Sequence, residues 1–433
     1  TIMKFLLIFS LCILGVLAKH EIYEGHAVYE VEVNSIDQGK LVHDVENEMF
    51  LDVWSDAVPG RPGQVLVPKV QREVFENFLN EAGVQYKVQV ENVKEQLELE
   101  DKLLAEAAAK SNSTSSRLGF DKIHTYAEVD AYLDQLARRY PNLVTVVLGG
   151  RSVEGRPIRY LRISTTNFQD ARKPVVIMQS LIHCREWVTL PATLYAIHKL
   201  VVDVTESDLV RNIDWIILPI ANPDGYIFTH SNDRYWRKNR RVNFSGNLCP
   251  GVDLNRNFDM NWGTASSNNP CSDTFHGARA FSEPETVVIR NIVQAHRNRL
   301  ALYLDIHSFG SMILYGFGDG SLPSNALQVN LVGVQMAQAI DRVKWPSNRN
   351  YIVGNIFHVL YAASGGASDY GQLFAPLSYT YELPAWRNNS WLQGFLVDPE
   401  FIEQAGFETW EGIKVGARAA LAAFRQRNSL ERK

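Results

Sequence analysis

The chain has 433 residues, of which 46% are hydrophobic, and its formal net charge is −5. This length and apolar content predict two soluble globular domains with a large core. Lysine and arginine are interspersed with acidic residues and form no basic block, so we expect neither nucleic acid nor a membrane as a partner.

The amino terminus has the pattern of a secretory signal peptide. A short positive region precedes an apolar stretch from Phe5 to Leu17, which is too short to span a bilayer. A small-residue cleavage pattern follows and ends at Ala18. We therefore predict a secreted, extracellular protein whose signal peptide comprises residues 1–18.

The next segment predicts a small α+β unit with an antiparallel sheet. Alternating apolar runs at residues 27–33 and 84–90 flank a helical stretch near residues 70–82. A helix rich in Glu, Leu and Ala is then predicted from Val93 to Lys110. A polar, exposed linker follows, and Lys110 and Arg117 on either side of it offer cleavage sites to a trypsin-like protease. An ordinary interdomain linker explains the composition equally well.

From Phe120 onward, predicted helices and strands alternate, which is typical of one large doubly wound α/β domain. The predicted helices cover residues 127–140, 190–202, 284–300 and 327–343. The predicted strands cover residues 144–148, 175–182, 215–220, 302–306 and 377–381.

Three potential metal ligands follow the ends of two predicted strands. His183 and Glu186 come after the strand at residues 175–182, and His307 comes directly after a second strand. Open α/β proteins bind ligands at the carboxyl ends of their strands. Two histidines and one glutamate with an open fourth position form a catalytic zinc arrangement. Glu382 ends a third strand and is a candidate general base, so we predict one Zn²⁺ per chain.

The His-x-x-Glu spacing is weak evidence by itself, because it occurs twice in the chain. His43 and Glu46 show the same spacing in a polar amino-terminal segment with no buried strand before it. A solvated polar turn explains that copy equally well. Only the copy at His183 is joined by a third ligand and a base, and we interpret the copy at His43 as a coincidence.

The cysteine positions predict one disulfide. Cys249 and Cys271 close a loop rich in Gly, Asn and Ser and are the natural pair in an oxidising compartment. Cys184 follows His183 in a near-extended segment and should point away from it, so we expect a buried thiol rather than a metal ligand. Three sequons are candidate glycosylation sites, at Asn112, Asn243 and Asn388.

The chain resembles the zymogens of the pancreatic-type zinc metallocarboxypeptidases, with A-like rather than B-like features. The resemblance extends over essentially all residues after the signal peptide. It rests on motifs in the family's order, at residues 182–187, 222–226, 235–239, 251–257, 306–308, 361–366 and 381–383. Two positions depart from the family pattern: Cys184, where Ser is more usual, and Pro384, where Arg is frequent.

The resemblance implies a substrate-binding groove. Asn255 and Arg256 match the pair that binds the terminal carboxylate of the substrate, and their amide and guanidinium donors suit that role. A polar loop is the ordinary alternative for this pair. Arg185 would extend the positive groove. Tyr361, before a small-residue run, matches the tyrosine that closes over the substrate, although a packed aromatic is its ordinary alternative.

The resemblance also implies roles around the reacting groups. Arg237 matches the arginine that stabilises the oxyanion, a role that fixed positive charge performs well. Asp253 matches the carboxylate that orients the first zinc histidine. The family's side-chain pocket corresponds to Leu314, Gly318, Ile356, Ala363, Ser368 and Thr380.

Ser368 lies at the floor of that implied pocket. B-type enzymes have an acid there and A-type enzymes an aliphatic residue, and Ser368 is neither. A small uncharged floor leaves room for aromatic and aliphatic side chains, so we predict A-like preference with lowered selectivity.

The implied organisation is a signal peptide at residues 1–18, a pro-segment at 19–110, an activation linker at 111–118 and a catalytic domain at 119–433. The fold implied is a doubly wound mixed sheet with helices on both faces. We expect a monomer that a trypsin-like protease activates against peptides with free carboxyl ends. Two alternatives are an inactive carboxypeptidase-like binding protein and a zinc amidohydrolase of small acylated amino acids.

Overall fold

The computed structural model describes residues 19–110, 118–242, 248–385 and 392–430. The predicted signal peptide, Arg117 and the three sequons lie outside these ranges. Within them, no helix combines the length and the apolar character needed to cross a membrane.

The amino-terminal unit is an α+β domain with an antiparallel four-stranded sheet, as the alternating patterns predicted. The strands lie in the order β2-β3-β1-β4. They are β1 (Ala27–Glu32), β2 (Asp52–Ser55), β3 (Gly63–Val67) and β4 (Gln85–Val90), and two helices accompany them, α1 (Ile36–Glu48) and α2 (Arg72–Glu81). Phe75 and Leu79 of α2 are fully buried in the core of this unit.

Helix α1 was not predicted from the sequence. The side chain of Ser35 caps its first turn by accepting a hydrogen bond from Gln38 N. Only Val42 and Glu46 of the helix are buried, so its apolar face is too sparse to produce a helical pattern. The predicted polar turn at His43 is therefore wrong.

A long helix, α3 (Val93–Lys110), connects this unit to the linker and has the predicted bounds. Val93, Leu97 and Glu100 are its buried residues. The two apolar residues pack in a cluster that also contains Tyr235 and Phe395 of the second domain. The helix is therefore part of the contact between the two units.

The second domain contains an eight-stranded mixed sheet in the order β11-β10-β12-β9-β7-β8-β6-β5. The four central strands, β12, β9, β7 and β8, are mutually parallel. The bounds are β5 (Val144–Arg151), β6 (Pro157–Ile163), β7 (Val175–Ser180), β8 (Asp214–Leu218), β9 (Leu300–Ser308), β10 (Met312–Tyr315), β11 (Ile352–Asn355) and β12 (Leu377–Leu383).

Helices cover both faces of this sheet, as the predicted doubly wound architecture requires. Val176 and Met178 of β7 pack into one core cluster, and Val175 and Ile177 pack into another, because successive side chains point to opposite faces. The helices are α4 (Tyr126–Arg139), α5 (Thr189–Val201), α6 (Ser207–Asn212), α7 (Pro223–Ser231), α8 (Pro284–His296), α9 (Ala326–Asp341), α10 (Ile356–Val359), α11 (Ala367–Gln372) and α12 (Pro399–Leu430).

Candidate active site

His183 and Glu186 lie in the loop that leaves the carboxyl end of β7 and leads into α5. Both side chains are almost completely buried, with 4% and 3% of their surface exposed. His183 Nδ1 lies 2.8 Å from Glu186 Oε1. The two side chains therefore converge on one point, as their spacing predicted.

His307 joins them from the neighbouring parallel strand. It lies inside β9 rather than just after it, and its Nδ1 is 3.0 Å from Glu186 Oε2. Ligand atoms of His183, Glu186 and His307 all lie within 4.8 Å of one another. The predicted third ligand thus reaches the same centre.

Each histidine is held from behind by a carboxylate. His183 Nε2 lies 3.0 Å from Asp253 Oδ1, and His307 Nε2 lies 2.8 Å from Asp305 Oδ2. A carboxylate at Nε2 favours the tautomer with its proton there, which leaves Nδ1 free to bind a metal. Two such nitrogens and one buried carboxylate match the donor set of a catalytic zinc site, so these residues fit Zn²⁺.

Asp305 was missed in the sequence. It precedes His307 by two residues on β9, so the two side chains project to the same face of the sheet. Gln179 Nε2 donates to its other oxygen at 2.9 Å. Side chains alternate between the two faces of a strand, and this alternation would have identified Asp305 from the sequence.

Glu382 lies beside His307, because the two residues are paired in register between the parallel strands β12 and β9. The residue is largely but not completely buried. Burial and the nearby Glu186 carboxylate raise the pKa of Glu382, whereas His307 lowers it. The geometry brings the predicted base to the rim of the metal centre.

Arg237 is anchored by the same aspartate that holds His183. Its Nε and Nη2 donate to Asp253 Oδ2 at 3.2 and 2.8 Å. Burial opposes ionisation of Asp253, but Arg237 and His183 outweigh this effect and hold its pKa well below the ordinary value. Asp253 therefore fixes a metal ligand and a guanidinium relative to each other.

Asn255 and Arg256 follow Asp253 in a single 3-10 turn. Asn255 Nδ2 lies 3.2 Å from His307 Nε2, and its Oδ1 accepts from Ala367 N at 2.7 Å. Arg256 Nη2 donates to Tyr361 Oη at 3.4 Å. Arg256 Nε is buried without a hydrogen-bond partner among the described residues. These polar donors border the metal centre on one side.

Ser368 lies on α11 and is buried. Thr380 Oγ1 donates to its hydroxyl at 2.7 Å, which brings together two of the residues expected to line the side-chain pocket. The neighbouring Asp369 accepts from Gly318 N at 2.7 Å, and burial raises the pKa of this carboxyl to about 6. The Asp369 carboxylate, next to Ser368, is thus engaged in a hydrogen bond with the backbone of Gly318.

The amino-terminal unit covers the cleft. Asp52 of β2 accepts two hydrogen bonds from Arg185 Nη1, at 2.8 and 2.9 Å, and leaves Arg185 buried. The Trp54 ring packs 5.0 Å from the Tyr235 ring and 5.4 Å from the Phe395 ring. A cavity of about 340 Å³ remains between the two units, with Arg237 and Tyr361 in its wall.

A buried ion pair joins α3 to the second domain. Arg234 Nε and Nη2 donate to Glu100 at 2.7 and 3.0 Å, and both side chains are 1% exposed. Arg234 also donates to the carbonyls of Arg185 and Phe395, and its guanidinium lies over the Trp187 ring. This arginine links the amino-terminal unit to the backbone beside the metal centre.

The cysteine predictions are confirmed. Cys249 and Cys271 form a disulfide, and Cys184 is free and fully buried. Its Sγ donates to the carbonyl of Trp236 at 2.9 Å and takes no part in the metal centre.

A family model described as zinc carboxypeptidase matches residues 129–412, and one described as carboxypeptidase activation peptide matches residues 29–100. Carboxypeptidase B of Helicoverpa zea is 45% identical over 98% of this chain and 100% of that protein. Carboxypeptidase A1 of Bos taurus is 32% identical over 95% and 97%. The crystal structure of carboxypeptidase A from Helicoverpa armigera, at 78% identity, superposes with a TM-score of 0.92 over 93% of this chain and 99% of that one.

Proposed function

The chain belongs to the zinc carboxypeptidase family, and we propose that it is the secreted zymogen of an A-like enzyme that removes carboxyl-terminal residues from peptides. Its metallocarboxypeptidase activity and its zinc requirement follow from that membership. The site assignments, the domain bounds, the preference for substrate side chains and the route of activation are parts of the proposal.

One observation carries the proposed chemistry: a general-base candidate and a carboxylate-binding pair border the same metal centre. Glu382 is in register with His307, and the Asn255 amide lies 3.2 Å from that histidine. Arg256, beside Asn255, is buried with an unused Nε–H donor. An exopeptidase needs this combination, because it must hold a free terminal carboxylate while it cleaves the adjacent bond.

In the proposed mechanism, Asn255 and Arg256 bind the terminal carboxylate and Arg237 stabilises the charge that develops on the carbonyl oxygen. His183, Glu186 and His307 would hold a zinc ion, which would supply Lewis-acid polarisation of the carbonyl and of a water molecule. Glu382 takes a proton from that water and returns it to the departing amine.

The pocket supports A-like selectivity. Its proposed floor, Ser368, is a neutral hydroxyl bonded to Thr380, and Asp369 is engaged with the Gly318 backbone. Neither group offers a free carboxylate to a terminal lysine or arginine. The relative at 78% identity is named carboxypeptidase A, although the relative at 45% is named carboxypeptidase B.

For activation, we propose cleavage at Lys110 or Arg117 by a trypsin-like protease, followed by loss of a pro-segment at residues 19–110 and a linker at 111–118. Lys110 ends α3, and both the Asp52 and Glu100 contacts lie before it in the chain. A cut there leaves the residues that make both contacts on a fragment that is no longer covalently joined to the proposed catalytic domain at 119–433. The signal peptide at residues 1–18 and the monomeric state belong to the same proposal.

The test combines brief trypsin treatment with peptides that end in a free or an amidated carboxyl group. We expect trypsin to raise activity, and single residues to be released only from free ends and only without a chelator. The variant Glu382→Gln should retain zinc and lose about three orders of magnitude or more of turnover, since the proton transfers lose their carrier. Near-normal turnover in that variant would remove Glu382 from the mechanism.

A further inference from the structure

The second His-x-x-Glu copy lies on a helix, not in a turn. His43 and Glu46 are three residues apart on α1 and therefore share one face of it. Asp56, which follows β2, reaches the same face. One potential ligand atom from each of His43, Glu46 and Asp56 lies within 4.8 Å of the others.

Glu46 lacks a partner although it is buried. Glu46 is only 4% exposed. Its side chain makes no hydrogen bond and no ion pair with the described residues. A buried carboxylate in this state bears an uncompensated desolvation penalty, which a bound cation would offset.

The other two groups are paired with each other, and His43 is open to the solvent. His43 Nδ1 lies 2.8 Å from Asp56 Oδ1, and the His43 side chain is 49% exposed. Both residues border the cavity of about 340 Å³ between the two units, which gives an ion a path of entry. Arg61, the nearby cation, directs Nη1 to Met312 Sδ at 3.5 Å and acts on Asp56 only through a longer-range charge interaction.

We propose that His43, Glu46 and Asp56 form a second divalent-metal site in the pro-segment, with zinc as its ion. One imidazole nitrogen and two carboxylate oxygens suit zinc better than magnesium or calcium, which prefer oxygen ligands alone. Ligands at zinc bond lengths are about 3.3 Å apart in a tetrahedron. The ligand atoms lie within 4.8 Å of one another, so rotation of the exposed His43 and small side-chain shifts would bring them to that separation.

Such an ion would act on the inhibitory face of the pro-segment. Asp56 directly follows β2, whose Asp52 binds Arg185 and whose Trp54 packs against Tyr235. The ion would fasten β2 to α1 and restrict the strand that covers the cleft.

The experiment counts zinc in the full-length zymogen after dialysis against micromolar zinc and removal of free metal. We expect two ions per chain in the native zymogen and one after Glu46→Gln, since loss of a ligand weakens the site by at least about tenfold. Glu48→Gln is the matched control, because Glu48 is exposed on the same helix and lies outside the cluster. It should retain two ions.

His43→Ala, at a half-exposed position, provides an independent variant and should also bind one ion. Trypsin-released activity equal to that of the native protein shows that each variant folds and keeps the catalytic ion. A single ion in the native zymogen, or two ions in Glu46→Gln, would overturn the proposal.

Discussion

At the scale of single residues, Asp253 contacts both a metal-binding histidine and the arginine proposed to stabilise the charge on the carbonyl oxygen. One of its oxygens faces His183 and the other accepts from Arg237. Asp253→Asn should weaken zinc binding by about 10- to 100-fold, because the amide no longer fixes the imidazole through a charged hydrogen bond. Competition with a chelator measures this change. Asp259→Asn, at an exposed position in the same segment, should bind zinc normally; equal affinities in the two variants would contradict the role of Asp253.

Ser368 decides the charge of the proposed pocket floor. In Ser368→Asp, a carboxylate replaces the hydroxyl that pairs with Thr380, so terminal lysine and arginine gain a counter-charge. We expect the kcat/KM ratio of Lys over Phe substrates to rise at least about tenfold, which is about 1.4 kcal/mol. Ser324→Asp adds the same charge at an exposed site and should leave the ratio unchanged. An unaltered ratio in Ser368→Asp would place the floor elsewhere.

At the scale of elements, α3 holds the pro-segment in place through one buried charge. Glu100→Gln leaves Arg234 buried without its counter-ion, at a cost on the order of 3 kcal/mol. The cleaved pro-segment should therefore dissociate more than about 100-fold more readily, as measured by the inhibition constant of the cleaved complex. Glu106→Gln, exposed on the same helix, is the control. A tightly bound pro-segment in Glu100→Gln would show that the apolar contacts dominate.

Several elements with a strong, regular pattern were predicted within a few residues, but others were missed, including β6 and the long amphipathic helix α12. The apolar run at residues 175–182 gave β7, and the Glu-, Leu- and Ala-rich segment gave α3 with its observed bounds. Strand β10 and the edge strand β11, four residues each, are too short to produce a periodic signal, and α1 buries too few apolar residues. The strand bounds at His307 and Glu382 were short because polar residues inside a buried strand resemble its end.

For the site, strand ends identified the metal ligands, but contacts between domains could not be predicted. Nothing in the pattern around Asp52 or Glu100 distinguishes these carboxylates from solvated ones. Each carboxylate forms its ion pair only when the two units pack and bring an arginine next to it. Such pairs depend on tertiary position rather than on spacing along the chain.

At the scale of the whole molecule, stability should depend on the protonation of a buried carboxyl. Burial raises the pKa of Glu285 from 4.5 to about 7. The folded state therefore holds a proton that the unfolded state releases, and this residue's contribution is full below pH 4.5 and is lost as the pH rises through about 7. Glu285→Gln removes that dependence, so its stability relative to the native protein should increase by up to about 3 kcal/mol between pH 4.5 and 8.

Thermal or denaturant unfolding at several pH values measures this difference. Glu400→Gln is matched in position, since both glutamates follow a proline in the first turn of a helix, but Glu400 is exposed. Glu400→Gln should change the free energy of unfolding, relative to the native protein, by the same amount at every pH in this window. If the free energy of unfolding of Glu285→Gln differs from that of the native protein by the same amount at every pH, the Glu285 carboxyl is ionised throughout.

The ion pair between Arg234 and Glu100 should affect the time course of the proposed activation. Cutting the chain near Lys110 leaves this pair and the aromatic packing of Trp54 intact, so the two fragments separate only as fast as they dissociate. Recombination is bimolecular, and its rate grows with protein concentration. We therefore predict that a concentrated solution of cut protein stays latent, and that dilution or digestion of the free pro-segment makes the gain of activity permanent.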